Sequence, residues 1–161
     1  MDALTPASGE RRRQELEALL LLDALPGMGP RGVRAVVSAA GSARSAVALP
    51  GLVSEAAGKA AAAALGSGDA REAVLRALEV ADRLGMATLL WTEDAYPRAL
   101  LHLADPPPVL FLRGRAELLA APGVAVVGSR RATARARSVA HDLGAAVAAR
   151  QTMVPTPLAA S

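Results

Sequence analysis

The sequence predicts a helical N-terminal half followed by an α/β C-terminal half. Two observations predict this division. Up to about residue 84 the apolar residues recur at helical spacing, whereas from residue 87 short apolar runs alternate with turns and short helices. We place the boundary near residue 67, beside a Gly-Ser-Gly joint. The predicted organisation is a disordered lead, a helical domain, a partial α/β domain and an irregular tail, at residues 1–12, 13–67, 68–150 and 151–161.

The helical half is predicted to begin with a helix from about Glu10 to Ala24. Leu16, Leu19 and Leu20 lie on one face of this helix. The segment LPGMGPRG follows at residues 25–32 and predicts a tight turn into a second helix. We expect Gly41 to end the second helix in a left-handed cap. An Ala-rich helix is predicted to reach about Leu65.

The α/β half opens with an amphipathic helix that begins near Asp69 and stops at Gly85. Three apolar runs then predict strands of a parallel sheet, at residues 87–91, 109–112 and 124–127. Short helices are predicted in the segments YPRALLHL and RAELLA. A longer helix is predicted from Thr133 to about Arg150, with Thr133 as its cap.

The composition excludes several classes of protein. The 161 residues have no cysteine, which excludes disulfides, thiolate metal sites and cysteine nucleophiles. His102 and His141 lack the spacing of metal ligands, and no apolar run predicts a membrane span or a secretory signal. We therefore expect a cytoplasmic protein. The sparse aromatic residues, Trp91, Tyr96 and Phe111, offer little material for stacking of bases.

LPGMGPRG contains a Gly27-x-Gly29-x-x-Gly32 pattern, which formally matches the dinucleotide-binding fingerprint. The match is weak because a strand should precede the pattern, and here a leucine-rich helix does. The context favours a helical hairpin of the helix-hairpin-helix or SAM-like type. The amides of Gly27 and Gly29 then either bind a backbone phosphate without reading sequence or form a turn that only packs two helices.

The segment VAVVGSRRAT, from residue 124, has the context that the first pattern lacks. An apolar run leads into Gly128, and a helix is predicted to follow from Thr133. Amides near the start of that helix, assisted by the helix dipole, favour an anion. Gly128 permits close approach, Ser129 and Thr133 offer hydroxyl donors, and Arg130 offers a charged fork. These four residues are our candidate anion site.

Charge supports an anion ligand. The chain has a net charge of +3, and all of its 18 basic residues except Lys59 are arginine. Residues 122–151 contain five arginines against one aspartate, a net charge of +4, so the remainder is slightly acidic. Such a basic concentration is typical of phosphate binding. A solvated arginine face on a surface helix is the structural alternative.

Nothing in the sequence indicates an enzyme. The loop is neither G-x-G-x-x-G nor a P-loop, and no acid lies about 20 residues beyond it to hold a ribose. We find no nucleophile elbow, no paired carboxylates in a convincing context and no metal cluster. We therefore expect no catalytic residue, no cofactor and no metal.

Three elements in order resemble the DNA-processing protein DprA family, also called Smf. They are the Tyr-Pro-x-x-Leu at Tyr96, the Asp-Pro-Pro-x-x-Leu at Asp105 and the Val-Gly-Ser-Arg-x-x-Thr that ends at Thr133. Each is weak alone, but together, behind a helical N-terminal part, they are specific. The resemblance covers about residues 15–150.

The resemblance implies a Rossmann-like central domain that binds single-stranded DNA during natural transformation. It also implies protection of incoming strands and help in loading the RecA recombinase. Gly128, Ser129, Arg130 and Thr133 match the family's phosphate-binding loop, with Arg131 as a neighbouring contact.

The sequence departs from the family after Thr133, where Ala134-Arg135-Ala136 replaces the usual Pro-Tyr-Gly. The later Ser-Gly-x-Ala stretch is not found, and residues 151–161 resemble the product of a frameshift or of a premature end. We therefore expect an incomplete Rossmann-like domain, marginal alone, that lacks the family's homodimer surface. Two alternatives remain open: a small nucleotide- or phosphosugar-binding Rossmann-like enzyme, and a non-functional fragment.

Overall fold

A computed structural model describes residues 6–121 and 124–149. These residues fall into two compact units that divide between Gly114 and Arg115. The predicted tail, residues 151–161, and the first five residues of the predicted lead lie outside the described residues. The predicted domain boundary near residue 67 stays a prediction.

The first unit consists of helices and one small sheet. Its elements are, in order, α1 (Pro6–Asp23), α2 (Gly29–Ala40), α3 (Ala43–Val47), α4 (Pro50–Ala57), α5 (Lys59–Ser67), α6 (Asp69–Arg83), β1 (Ala87–Leu90), α7 (Arg98–Leu101) and β2 (Val109–Leu112). The second unit contains a 3₁₀ helix (Ala116–Ala120) and α8 (Ala134–Ala148). The part of the chain that the structure describes is therefore mostly helical, with a small α/β portion. None of its helices is long and apolar enough to span a bilayer.

The core of the first unit is built around the leucine face of α1. Leu16, Leu19 and Leu22 are buried, and Leu20 packs against the same core while partly exposed. Helices α2, α3 and α6 lie against α1. The predicted apolar face of the first helix is therefore confirmed, and it lies at the centre of the unit.

Helices α2 and α6 each bury one apolar stripe, as their periodicity predicts. Val33 and Val36 of α2 are buried, as are Val74 and Leu78 of α6. The predicted cap is also confirmed, because Gly41 has a φ of 83° and its N–H donates to the Val37 carbonyl, at 2.8 Å.

α1 begins at Pro6, earlier than the expected start at Glu10. Part of the predicted disordered lead is therefore helical. Proline is favoured at the first position of a helix, because its missing N–H needs no partner there. Within α1, a tertiary contact at Arg12 is one that periodicity does not reveal. The Arg12 guanidinium donates to both carboxylate oxygens of Glu93, at 2.5 and 3.2 Å, and to the Thr88 carbonyl, at 2.6 Å.

The sheet is antiparallel, so the predicted parallel arrangement is wrong. Ala87 pairs with Leu112, and Leu90 pairs with Val109. A parallel pair needs a crossover connection, whereas the segment between these strands folds back on itself. The Tyr96 hydroxyl donates to the Pro107 carbonyl, at 2.8 Å, and holds this return in place.

The predicted third strand does not form. Residues 124–127 have no regular secondary structure, and Val127 is 79% exposed. β-propensity describes how a residue fits a paired, half-buried surface. Among the described residues the sheet consists of β1 and β2, so this apolar run has no strand partner. The strands predicted near 87–91 and 109–112 are confirmed.

Replacement of Leu19 by alanine tests the central position of α1. Leu19 is fully buried, so L19A is expected to lower the free energy of unfolding by about 2–5 kcal/mol. Urea unfolding monitored by circular dichroism measures this loss. L103A is the matched control, because Leu103 is 49% exposed and its loss should cost much less. Equal losses in the two variants would contradict the assignment of the core.

Asp23 generates a pH-dependent prediction. It is the last residue of α1, and partial shielding from water raises the pKa of its carboxyl above the ordinary value of 3.8. The folded protein therefore binds this proton more tightly than the unfolded chain does. Stability consequently falls as the pH rises from 3.8 through the higher folded-state pKa.

We expect D23N to raise the melting temperature at neutral pH, because asparagine carries no charge to desolvate. The gain should shrink toward about pH 3, where the aspartate is protonated in both states. Thermal unfolding at both pH values measures the difference. D82N, near the end of α6, controls for the helix dipole alone. A gain for D23N that does not depend on pH would contradict shielding as its cause.

Candidate nucleic-acid interface

The Gly128–Thr133 loop precedes α8 and is held in shape by its own hydrogen bonds. The Ser129 carbonyl accepts from the Ala132 N–H, at 3.2 Å, and the Ser129 hydroxyl oxygen accepts from the Arg131 N–H, at 3.1 Å. Two of the amides that the sequence assigned to an anion are therefore used inside the turn. The Ser129 hydroxyl hydrogen is left available to a ligand, since the oxygen acts here as acceptor.

Thr133 caps α8, as predicted. Its backbone is extended, with φ −65° and ψ 160°, and its Oγ1 accepts from the Ala136 N–H, at 3.2 Å. The N–H groups of Ala134 and Arg135 have no acceptor among the described residues. Unsatisfied first-turn amides carry the positive end of the helix dipole. The start of α8 therefore has two amide donors directed out of the helix.

The arginines of the loop add full positive charge to these partial charges. Arg130, Arg131 and Arg135 are exposed, and none of them pairs with a carboxylate among the described residues. Asp142 lies beside His141, with 3.5 Å between its Oδ1 and the imidazole Nδ1. The loop is therefore a basic surface whose charge is not neutralised internally.

Arg137 also belongs to this surface, although its place in the sequence did not single it out as a site residue. Its guanidinium Nη1 donates to the Ala132 carbonyl, at 3.1 Å, and so braces the loop from the first turn of α8. Helical side chains lean toward the N-terminus of their helix. The position of an arginine four residues after the cap is the signal that was available in the sequence.

The other candidate residues, Gly27 and Gly29, lie in the turn between α1 and α2 of the first unit. Both have positive φ, 76° and 43°, which favours glycine. A Cβ on Gly27 would lie 3.4 Å from the Ala57 carbonyl oxygen, and Met28 between them is 2% exposed. These contacts show that the turn packs helices together. Phosphate contact at this turn stays a prediction.

A family comparison bears on the same region. Residues 87–160 match the model of the family of DNA recombination-mediator protein A. This match supports a relationship of this part of the chain to the DprA family. The match includes every residue of the Gly128–Thr133 loop, and it indicates a role in DNA processing and recombination. No curated protein matches the chain significantly.

The structure gives two of the DprA-like sequence elements a physical connection. The Tyr-Pro element supplies Tyr96, and the Asp-Pro-Pro element supplies Pro107, whose carbonyl accepts from the Tyr96 hydroxyl. Tyr96 is 2% exposed, so this hydrogen bond satisfies a buried polar group. These two sequence elements therefore stabilise the connection between β1 and β2. The third element, Val-Gly-Ser-Arg-x-x-Thr, forms the basic loop.

Removal of the α8 cap tests the architecture of the loop. T133A is expected to destabilise the first turn of α8 by about 1 kcal/mol, because the Ala136 N–H loses its acceptor. Hydrogen exchange at the Ala136 amide should then become faster. T133S keeps a hydroxyl acceptor and should exchange nearly as slowly as the parent. Faster exchange in both variants would contradict the capping role.

Proposed function

We propose that this chain binds the backbone of single-stranded DNA through the Gly128–Thr133 loop. The observation that carries this proposal is the group of exposed arginines beside the open amides at the start of α8, none of which pairs with a carboxylate in the part of the chain that the structure describes. In the proposal, the Arg130 guanidinium donates two hydrogen bonds to one phosphate, and Arg131 contacts a neighbouring phosphate. Ser129 and Thr133 donate hydroxyl hydrogen bonds, and Gly128 lets the strand approach closely.

Binding of this kind does not depend on base sequence, because phosphate contacts position a strand without reading it. The family role in DNA processing supports DNA as the polyanion. We further propose that the protein acts in the cytoplasm during natural transformation, where it protects incoming strands and assists the loading of RecA. Gly27 and Gly29 are proposed as a secondary phosphate contact.

A second candidate is a small nucleotide- or phosphosugar-binding protein. A single helix N-terminus with one serine and one threonine is of the right size for one phosphate group. In this case a mononucleotide alone would bind the loop with saturation. A thermal-shift series with mononucleotides and oligonucleotides therefore distinguishes the two candidates.

Fluorescence anisotropy with a labelled oligo-dT at two salt concentrations tests the DNA proposal. Affinity should fall steeply with salt, because each phosphate contact releases counterions. R130A should weaken binding about 10-fold or more, since hydrogen bonds to charged groups contribute about 1.5–3 kcal/mol. It should also reduce the salt slope by about one.

R83A is the matched control for this experiment. Arg83 is an exposed arginine at the end of α6, far along the chain from the loop. Its replacement removes the same charge and should leave both affinity and salt slope nearly unchanged. Equal effects of R83A and R130A would assign the binding to net charge rather than to the loop, and a flat salt response would contradict phosphate binding altogether.

A further inference from the structure

The first unit contains a cavity of about 390 Å³ beside the segment that follows β1. Its lining includes Trp91, Thr92, Asp94, Arg98 and His102. Pockets that bind small organic ligands commonly have volumes of about 300–1,000 Å³. An aromatic side chain and several polar groups therefore line an open cavity whose volume is within the range for small organic ligands.

Trp91 is the only tryptophan of the chain, and it contacts both the hydrophobic core and Arg34. It packs against the hydrophobic core while remaining partly exposed. The Arg34 guanidinium carbon lies 5.8 Å from the centre of its ring, and Arg34 does not line the cavity. The indole is therefore partly exposed and forms part of the cavity lining.

The other aromatic ring and one acid of the cavity are already occupied. The Tyr96 hydroxyl donates to the Pro107 carbonyl. The Glu93 carboxylate accepts from the Arg12 guanidinium, at 2.5 and 3.2 Å, and from the Leu90 N–H, at 2.9 Å. Neither group is free to direct a ligand, so Glu93 does not place an uncompensated negative charge in the cavity.

Asp94 and Arg98 are the charged groups that the cavity offers to a ligand. Both are exposed, and neither forms an ion pair among the described residues. A carboxylate accepts from the exocyclic amino group of a base, as it does from N4 of cytosine. An arginine fork binds a phosphate. The two opposite charges suit a ligand that has an amino-bearing ring and an anionic group.

We propose that this cavity binds one nucleotide, with its base stacked on Trp91. In this arrangement Asp94 accepts from the amino edge of the base, and Arg98 contacts the adjoining phosphate. The nucleotide is either a unit of a DNA strand or a free mononucleotide. The strand form rests on the proposed function, and the mononucleotide form does not.

The single tryptophan makes the test direct, because all tryptophan fluorescence of the chain comes from this position. The full chain is titrated with oligo-dC, oligo-dT and dCMP, and anisotropy of labelled oligo-dC is followed in parallel. We expect saturable quenching, stronger with oligo-dC than with oligo-dT, since thymine lacks the amino group. D94N should remove this preference.

Variants separate the cavity from the loop. R98A should weaken the affinity measured by quenching about 10-fold, whereas R83A should leave that affinity unchanged. W91A should weaken the anisotropy-detected binding of oligo-dC about 10- to 100-fold, the range for loss of a stacked base. Because loss of Trp91 also affects packing, W91F is measured beside it, and it should bind nearly as well as the parent.

The outcomes for this inference and for the proposed function are distinguishable. Quenching by oligo-dC that exceeds quenching by dCMP supports the strand form, and quenching by dCMP even in R130A supports the free-nucleotide form. Quenching by dCMP without binding of any oligonucleotide sustains the cavity and overturns the proposed DNA function. Binding of oligo-dC that R130A abolishes, without any quenching of Trp91, sustains the loop and overturns this inference.

Discussion

The burial of the leucine face of α1 is the interaction on which the first unit depends. Leu19 and Leu22 are fully buried, and helices α2, α3 and α6 pack around them. In proteins most of the stability of a helix comes from packing of its apolar face rather than from helix propensity. The strands contribute to the same cluster through Leu90 and Val109. Helical and sheet portions of the first unit therefore share one core.

Polar residues of α1 then fix which elements lie beside it. The Glu15 carboxylate accepts from the Ala43 and Arg44 N–H groups, at 2.7 and 3.2 Å, and so caps α3 from another helix. Arg12 reaches Glu93 and the Thr88 carbonyl. Apolar burial is not directional, whereas these hydrogen bonds are. Apolar burial therefore stabilises the packing around α1, and the hydrogen bonds determine which elements pack there.

The second unit is organised by local hydrogen bonds rather than by a buried helix face. No described residue of α8 is buried, and the Gly128–Thr133 loop is shaped by short-range hydrogen bonds from Ser129, Thr133 and Arg137. Because these contacts are local, they leave the charges of Arg130 and Arg131 to solvent. A surface that keeps its cations unpaired retains them for an external anion. This availability connects the loop geometry with the proposed binding of phosphate.

Features that depend on local spacing could be predicted from the amino-acid sequence, whereas features that join distant residues could not. The leucine face of α1, the Gly41 and Thr133 caps and the two strands follow from periodicity and turn chemistry. The basic loop was also visible, because its residues are contiguous. Family resemblance, rather than spacing, supplied the link to DNA processing.

By contrast, the antiparallel pairing, the absence of a strand at 124–127 and the Arg12–Glu93 ion pair depend on partners that local periodicity does not specify. The cavity at Trp91 could not be predicted either, since the sequence indicated only that aromatic residues were few. The physical reason is common to these cases: a side chain's spacing predicts the face on which it lies, but only the packed chain determines what it meets there.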